Sequence, residues 1–457
     1  MSRLLETFVP KRLLLLAATD ALLIGGALSA TSLAAAYVWP AREGRGATWM
    51  PIAIACAVVL ACLHCFDLYE VRVATNARES AIRLSQVLGT ACVVLALVYY
   101  ADPAVLLHRD VILAGTLVMG SALLLDRRVF LAVSHSPALG QRTLLLGSGQ
   151  LASTLARELA RRPELGVRTV GYVGANSSLA AGLPRLGELE DLLRAVEATR
   201  ADRVIVALDP AQLAERLPLE ALVELRSRGV RVEGGAEAYE SVTAKVALNA
   251  LSLEWLLTLD RRRSRVNNLV QRVFSVLVAA SALLVFLPLM GLISLAVKLD
   301  SKGPVIFRQP RIGQGGRTFT LYKFRSMTVG ADGAKPCEAG DQRVTRVGRW
   351  LRRCRLDELP QLFNIVRGDV VLVGPRPFVP QQESDLVAQI PYYRYRWTVV
   401  PGITGWAQIH RGYCSTLEDN VEKLSYDLFY IKHDSIALDL LILLQTFKIM
   451  LLGRGAR

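Results

Sequence analysis

The sequence predicts a membrane protein of mixed α and α/β class, with a helical membrane bundle followed by two α/β units. Of its 457 residues 52% are hydrophobic, and the mean hydropathy of +0.34 is too high for an ordinary soluble chain or a disordered one. Several apolar runs approach the ~20 residues that a membrane-spanning helix needs. After the first runs, strand-like and helix-like patterns alternate, which is typical of a parallel sheet.

Residues 1–135 predict a bundle of four transmembrane helices, with apolar runs at 13–39, 50–66, 84–101 and 105–125. Lys and Arg near the helix ends set its orientation, because the cytosolic side carries their excess. One side carries Arg3, Lys11, Arg12, Arg72, Arg78, Arg83, Arg127 and Arg128, whereas the other carries Arg42, Arg45 and Arg109. Both ends of the bundle are therefore expected in the cytosol. Asp20, inside the first run, is expected to face another helix or the membrane interface.

Residues 140–245 predict a Rossmann-like parallel α/β domain, with strands near 142–146, 168–173, 203–208 and 229–232. The segment 147–152, Gly-Ser-Gly-Gln-Leu-Ala, matches the glycine-rich turn of dinucleotide-binding folds. The second strand lacks the carboxylate that would hold a nicotinamide ribose. Tyr239 and Lys245 also lack the spacing of four that short-chain sugar oxidoreductases need. A structural or nucleotide-sensing role is therefore favoured over NAD(P)-dependent catalysis.

Residues 268–299 predict a re-entrant membrane helix that bends at Pro288. Basic residues flank it on both sides, namely Arg261, Arg262, Arg263, Arg265 and Arg272 before it and Lys298, Lys302, Arg308 and Arg311 after it. Positive charge at both ends indicates that both ends stay in the cytosol. Proline supplies the bend because it removes a helical hydrogen bond. The alternative is a kinked spanning helix, which would place the following chain in the periplasm.

The motif Leu356-Asp357-Glu358-Leu359-Pro360-Gln361 places two adjacent carboxylates where they could take part in catalysis. Since proline is tolerated in the first turn of a helix, a helix is expected to begin near Asp357 and to keep that carboxylate ionised. Consecutive residues do not share a helix face, so one carboxylate would attack a phosphorus while its neighbour binds Mg²⁺. The alternative is a solvated acidic pair with Arg353 as an ion-pair partner. The preceding basic stretch 349–355 favours an anionic membrane over nucleic acid in a chain this apolar.

Three other segments suggest phosphate or nucleotide binding. Gly374-Pro375-Arg376-Pro377 holds one arginine in a rigid loop. The segment 321–327 alternates as a strand and places Lys323 and Arg325 on one face, after a hairpin turn rich in glycine. The segment 401–406, Pro-Gly-Ile-Thr-Gly-Trp, predicts a rigid turn whose Trp406 either lines a base or sugar pocket or packs in the core.

The order of these motifs resembles that of the bacterial sugar transferase family, the monotopic phosphoglycosyl transferases. The resemblance covers residues 265–457, which are therefore expected to form the catalytic domain. The whole chain is similar to the long polyprenyl-phosphate hexose-1-phosphate transferases, which add four membrane helices and a Rossmann-like domain. The ending 452–457 and the stretch around Tyr426-Asp427 look like the branch associated with exopolysaccharide.

The resemblance implies that Asp357 attacks the β-phosphate of a UDP-hexose, releases UMP and passes the phosphosugar to undecaprenyl phosphate. Glu358 would help bind Mg²⁺, Arg352 would bind the polyprenyl phosphate, Arg376 would bind nucleotide or phosphate, and Lys323 and Arg325 are further candidates. A catalytic domain on the cytosolic face of the bacterial inner membrane, contacts with membrane lipids, a homodimer and no nucleic-acid partner are also implied. The resemblance favours glucose or galactose, although the sequence itself does not select the hexose.

Two other functions are compatible with parts of the chain. A membrane-anchored NAD(P)-dependent nucleotide-sugar oxidoreductase would use the 140–245 domain, and the missing carboxylate counts against it. A non-catalytic scaffold for polysaccharide export would leave the adjacent Asp357 and Glu358 unexplained.

Overall fold

A computed structural model describes residues 11–38, 49–74, 76–101, 109–134, 141–162, 165–174, 182–208, 217–248, 251, 265–328, 341–411 and 416–451. The orientation-setting residues Arg3, Arg42 and Arg45, the basic residues 261–263 and the ending 452–457 lie outside this described part. The chain divides into two compact units, Met1–Val242 and Thr243–Arg457.

The first unit begins with helices α1 (Lys11–Val38), α2 (Trp49–Cys65), the short α3 (Val71–Ala74), α4 (Ala77–Ala101) and α5 (Arg109–Ser134). The four long helices share one buried apolar cluster, to which they contribute Ile24, Val59, Leu84 and Leu123 respectively. Asp20 of α1 faces helix α5, because Arg127 Nη2 of α5 donates to its Oδ2 at 2.6 Å. Facing another helix was one of the two predicted alternatives.

Two of the four predicted spans are long and apolar enough to cross a membrane. Among the described residues, three helices meet this criterion: Leu15–Ala35, Ala77–Ala101 and Val266–Asp300. Helix α2 has only 17 residues, below the ~20 that a span needs. In α5 the longest stretch free of charge is 111–125, between Asp110 and Asp126.

A five-stranded parallel sheet follows, and it confirms the predicted alternation. Its elements are β1 (Gln141–Leu146), α6 (Gln150–Arg161), β2 (Val167–Val173), β3 (Arg185–Gly187), α7 (Leu192–Thr199), β4 (Arg203–Val206), α8 (Leu219–Ser227), β5 (Arg231–Gly234) and α9 (Gly235–Thr243). The strand order is β3-β2-β1-β4-β5, with every pair parallel. This order is that of a doubly wound α/β fold. The short strand β3 was not predicted.

Helices cover both faces of this sheet because successive strand residues point to opposite sides. Leu144 and Leu146 pack with α7 and α8, whereas Leu145 packs with α6 and α9. The turn after β1 requires glycine at Gly147, where φ is +123° and a Cβ would lie 2.4 Å from the Ala207 carbonyl oxygen. The glycine-rich motif therefore has a structural cause in the close approach of two strand ends.

The second unit combines a long apolar helix with small sheets. Its elements are α10 (Arg265–Asp300), β6 (Ile306–Ile312), β7 (Thr318–Phe324), α11 (Arg346–Arg353), α12 (Gln361–Arg367), β8 (Val371–Val373), α13 (Pro380–Gln389), β9 (Gly402–Thr404), α14 (Trp406–His410), α15 (Leu417–His433) and α16 (Ile436–Leu451). Strands β6 and β7 form an antiparallel hairpin, and the predicted glycine turn joins them. Gly315 and Gly316 in this turn have φ values of +67° and +76°.

Both halves of α10 pack on the rest of the second unit. In the first half, Gln271 Nε2 donates to the Val373 carbonyl at 3.1 Å and Ser275 Oγ accepts from Leu372 N at 3.3 Å. In the second half, Ile293 belongs to a buried cluster with residues of β7 and α11, and Asp300 Oδ2 accepts from Val347 N at 3.1 Å. The helix runs without interruption through Pro288. Its two ends therefore contact one and the same unit.

Candidate active site

The two adjacent carboxylates lie in a 3₁₀ turn, Leu356–Glu358, between α11 and α12. The α-helix begins only at Gln361, so the predicted helix start near Asp357 is wrong by about one turn. The physical reason is that Pro360 has no N–H to donate, and the bonds on either side of it, from Leu359 N to the Leu356 carbonyl and from Leu362 N to the Leu359 carbonyl, have the spacing of a 3₁₀ turn. Arg355, which precedes the turn, has a φ of +56° and redirects the chain after α11.

Glu358 lies among cations. Lys323 Nζ donates to its Oε1 at 3.1 Å, and Arg376 Nη2 lies 3.6 Å from the same oxygen. Burial opposes the ionised form, but Lys323, Arg376 and Arg355 outweigh it and lower the pKa of Glu358 to about 2. Glu358 is therefore a permanent anion at neutral pH.

Asp357 has the opposite environment. Its residue is only 8% exposed, and its carboxylate forms no ion pair with any residue that the structure describes. Burial, and after it the charge of Glu358, raise the pKa of Asp357, while Lys323 and Arg352 partly offset this rise. The sequence predicted that a helix start would stabilise the ionised form of Asp357. In the structure Asp357 is instead a buried carboxylate beside the permanently charged Glu358. Two neighbouring carboxyl groups with pKa values pushed apart are suited to different chemical roles.

The strand that carries Lys323 is held against the carboxylate turn by Asn364 of α12. This fully buried amide accepts from Tyr322 N at 3.1 Å and donates to the Thr320 carbonyl at 2.7 Å. Helix α12 follows the turn directly, so the two bonds fix the distance between Lys323 and Glu358. Sequence reasoning did not identify Asn364, since a single asparagine in a short helix carries no distinctive pattern.

The loop that carries Arg376 is formed where two predicted motifs meet. Strands β8 and β9 pair in parallel, Gly374 N donates to the Thr404 carbonyl at 2.8 Å, and Gly402 N donates to the Pro375 carbonyl at 3.0 Å. A Cβ at Gly402 would lie 2.0 Å from Gly374 N, so only glycine permits this approach. The segments 374–377 and 401–405 therefore form one rigid substructure beside Glu358.

Other predicted residues lie in different surroundings. Arg325 is buried at the end of α10, where its Nη2 donates to the Ser301 carbonyl at 2.6 Å and the Val297 carbonyl at 3.3 Å. Arg352 on α11 interacts electrostatically with Asp357. Trp406 is buried against Phe429, and its Nε1 donates to the Ala244 carbonyl at 3.0 Å. These contacts are those of a core residue, which was one of the two predicted alternatives for Trp406.

The carboxylates present fit a magnesium ion that is shared with a substrate. Among the described residues, no group of three or more His, Cys, Asp or Glu side chains is arranged to hold a metal. Mg²⁺ is commonly bound by one or two carboxylates together with substrate phosphates and water. Glu358, the ionised carboxylate of the pair, supplies one such ligand.

Fold and site together define a membrane-associated protein with two adjacent carboxylates, one of which lies among cationic side chains. The sequence comparisons agree with this class. Residues 266–453 match the family model described as bacterial sugar transferase, and residues 64–236 match the model described as CoA-binding domain. The chain belongs to the bacterial sugar transferase family.

Relatives of this family act on different sugars. The chain is 42% identical over 220 residues to the UDP-N-acetylgalactosamine-undecaprenyl-phosphate N-acetylgalactosaminephosphotransferase of Aeromonas hydrophila, which covers 48% of this chain and 52% of the relative. It is 35% identical to the undecaprenyl-phosphate glucose phosphotransferase of Komagataeibacter xylinus, over 73% of this chain and 64% of the relative. It is 36% identical to the exopolysaccharide production protein PSS of Rhizobium leguminosarum bv. phaseoli, over 39% of this chain and 92% of the relative. The chain thus spans less than two thirds of the first two relatives.

Proposed function

We propose that this protein transfers hexose-1-phosphate from a UDP-hexose to undecaprenyl phosphate and releases UMP, as the first membrane step of exopolysaccharide or capsule biosynthesis. The observation that carries the proposal is the pair of adjacent carboxyl groups with opposite environments: Asp357 is buried without an ion pair to any described residue, and Glu358 is fixed by Lys323 and Arg376. The relatives' names supply the substrate classes.

In the proposed reaction, an Asp357 carboxylate oxygen attacks the β-phosphorus of the donor. The bond between this phosphorus and the bridging oxygen breaks, and UMP leaves with the electron pair. A phosphate oxygen of undecaprenyl phosphate then attacks the same phosphorus, which forms the diphosphate-linked lipid and restores the aspartate. Because the intermediate is covalent, the two substrates need not be bound together.

The cations around the turn have separate roles in this proposal. Arg376 and Lys323 bind the donor phosphates and compensate the charge of Glu358, whereas Arg352 of α11, whose charge acts on Asp357, binds the lipid phosphate. Arg325 acts through α10, whose last carbonyls it holds. Glu358, with substrate phosphates, would hold Mg²⁺, which supplies neutralisation of the diphosphate charge when bound.

The test of the nucleophile uses Asp357→Asn in membranes supplied with undecaprenyl phosphate. We expect no UMP release from any UDP-hexose, since the amide is a poor nucleophile of the same size. In the unmodified protein, donor without acceptor should leave a hexose-phosphate adduct on the peptide that contains Asp357, detected by mass spectrometry. Full turnover by the variant, or product formation without a trappable adduct, would exclude the covalent route. A panel of UDP-sugars in the same assay identifies the hexose.

We also propose that α10 is re-entrant, with the site on the cytosolic face of the inner membrane. A straight helix of its 36 residues would be about 54 Å long, well beyond the ~30 Å hydrocarbon core. The contacts of Gln271 and Asp300 with the same unit favour two ends on one side of the membrane, with the apolar middle around Pro288 in the lipid. A tag at Arg457 should then resist an impermeant reagent added from the periplasm. Labelling there would refute re-entry.

The remaining architecture follows the same proposal. Residues 1–135 form a transmembrane bundle of four helices, 140–245 a Rossmann-like domain, and 265–457 the catalytic domain with membrane segment 268–299. The protein contacts membrane lipids and forms a homodimer. Crosslinking in native membranes tests the dimer, and a band of monomer size alone would contradict it.

A further inference from the structure

Arg396 is a buried guanidinium without a role in the reaction described above. It lies in the 3₁₀ turn Tyr393–Thr398 and is 5% exposed. Its Nε donates to Asp427 Oδ2 at 2.8 Å, and its Nη1 donates to the Tyr393 hydroxyl at 2.6 Å. Its Nη2 donates to the backbone carbonyl of Arg376 at 2.8 Å. One planar group thus connects α15 with the loop that binds Glu358.

The loop needs an external donor at this carbonyl. Arg376 stands between Pro375 and Pro377, which have no backbone N–H to donate. The carbonyls on either side are already bonded, that of Pro375 to Gly402 N at 3.0 Å and that of Pro377 to Arg311 Nη1 at 2.9 Å. With the bond from Arg396, the three consecutive carbonyls of Pro375, Arg376 and Pro377 all accept a hydrogen bond. The backbone from which the Arg376 side chain extends toward Glu358 is therefore fixed.

The charges around Arg396 indicate that this arrangement holds its partners in position rather than stabilising the fold. Asp427 and Glu383 are almost fully buried beside it, and Lys423 is the second buried cation of the group. Burying such ions requires loss of hydration, and well-packed apolar side chains often give equal or greater stability. A planar fork with fixed donor directions, by contrast, can hold three acceptors in defined positions.

We infer that Arg396 is a positioning residue for donor binding, and that it acts by holding the Arg376 backbone so that the Arg376 guanidinium reaches the phosphates of the nucleotide sugar. The inference rests on the proposed function. It adds that the buried pair Arg396–Asp427 controls affinity for the donor and has no part in binding the lipid phosphate, which Arg352 approaches from α11.

The test compares Arg396→Lys with the unmodified protein in native membranes. Lysine keeps the charge that Asp427 and Glu383 require, so the variant is expected to fold, but a single ammonium cannot hold three separated acceptors. We expect the KM for UDP-hexose to rise at least about tenfold, the effect of weakening one charge-assisted phosphate contact. The KM for undecaprenyl phosphate and kcat should stay within about threefold. Tyr393→Phe, which removes only one acceptor, should raise the donor KM by a smaller factor.

Glu422→Gln is the matched control, because it breaks the ion pair between Glu422 and Lys245 in the same unit without contacting the Arg376 loop. Both KM values should then remain unchanged. A normal donor KM in Arg396→Lys would overturn the inference, because charge alone would suffice. A loss of kcat with both KM values unchanged, or an equal rise of both, would also overturn it in favour of a structural role. If the unmodified protein releases no UMP from any donor, the proposed function itself fails, which is a different result.

Discussion

Replacement of Lys323 by methionine should move the acid limb of the pH–rate profile to higher pH. Methionine keeps most of the side-chain volume and removes the charge that lies 3.1 Å from Glu358 Oε1. Among the charges that act on Asp357 and Glu358, Lys323 lowers the pKa of both groups. The reaction needs Asp357 ionised, so activity falls as the pH drops through its pKa. Removing the cation raises this pKa further, and the limb shifts upward.

The magnitude follows from the site. The net effect of the cations on Glu358 is a fall from the ordinary 4.5 to about 2, even against burial. Lys323 contacts Glu358 directly and acts on Asp357 from farther away, so we expect the rise in the pKa of Asp357 to be smaller than the fall in the pKa of Glu358. At a fixed pH below the limb, each unit by which the limb moves is about a tenfold loss of ionised nucleophile.

The measurement is kcat/KM for UMP release at a series of pH values, which reports ionisations of the free enzyme. Arg367→Met is the control, since it removes the same charge from a side chain on α12 that is 69% exposed. The acid limb of the Arg367→Met profile should stay at the same pH as in the unmodified protein. An unshifted limb in Lys323→Met, or an equal shift in both variants, would refute the reasoning from local charge.

Three further predictions address the site and the first unit. Glu358→Gln removes the charge that raises the pKa of Asp357, so the acid limb of its residual activity should move to lower pH. Asp20→Ala leaves buried Arg127 with only its 3.5 Å ion pair to Asp126 and should destabilise the protein by about 3–5 kcal/mol in thermal unfolding, whereas replacing both Asp20 and Arg127 by leucine should cost less. Gly147→Ala places a Cβ 2.4 Å from the Ala207 carbonyl oxygen and should make the parallel sheet susceptible to limited proteolysis, which Gly234→Ala, at a site without such a contact, should not.

Local patterns predicted most of the fold. Apolar runs predicted the long helices, and alternation predicted the parallel sheet, because burial and backbone period are encoded over short stretches. The three residues of β3 were missed, since so short a strand has no recognisable period. The start of α12 was misplaced because proline in a first turn is equally compatible with a cap position, which Pro360 occupies here.

The sequence predicted the motifs of the site but not the contacts that join them. Asp357, Glu358 and Arg376 stood out in their local motifs, and the family resemblance supplied their expected roles. The residues that position them were missed: Asn364 bonds a strand 42 residues earlier, and Arg396 pairs with a carboxylate 31 residues later. Such pairings depend on tertiary structure, and neither residue type is unusual in its own segment. The environment of Asp357 was mispredicted for the same reason, since its burial arises from packing of α11, α12 and β7.

The Val373 carbonyl links the apolar helix α10 to the loop that carries Arg376. It accepts from Gln271 of α10 at 3.1 Å and from the Tyr430 hydroxyl at 3.1 Å, and Gly374, the first residue of the Arg376 loop, follows it directly. Gln271 and Tyr430 also bond Asp439 of α16 at 2.8 and 2.7 Å, so the junction is fixed from three helices. A displacement of α10 would therefore reach Gly374 through one peptide unit, and Arg376 follows two residues later. In the proposed reaction, which transfers a sugar phosphate from a water-soluble nucleotide sugar to a lipid phosphate, this coupling would keep the position of the apolar helix and the position of Arg376 in agreement.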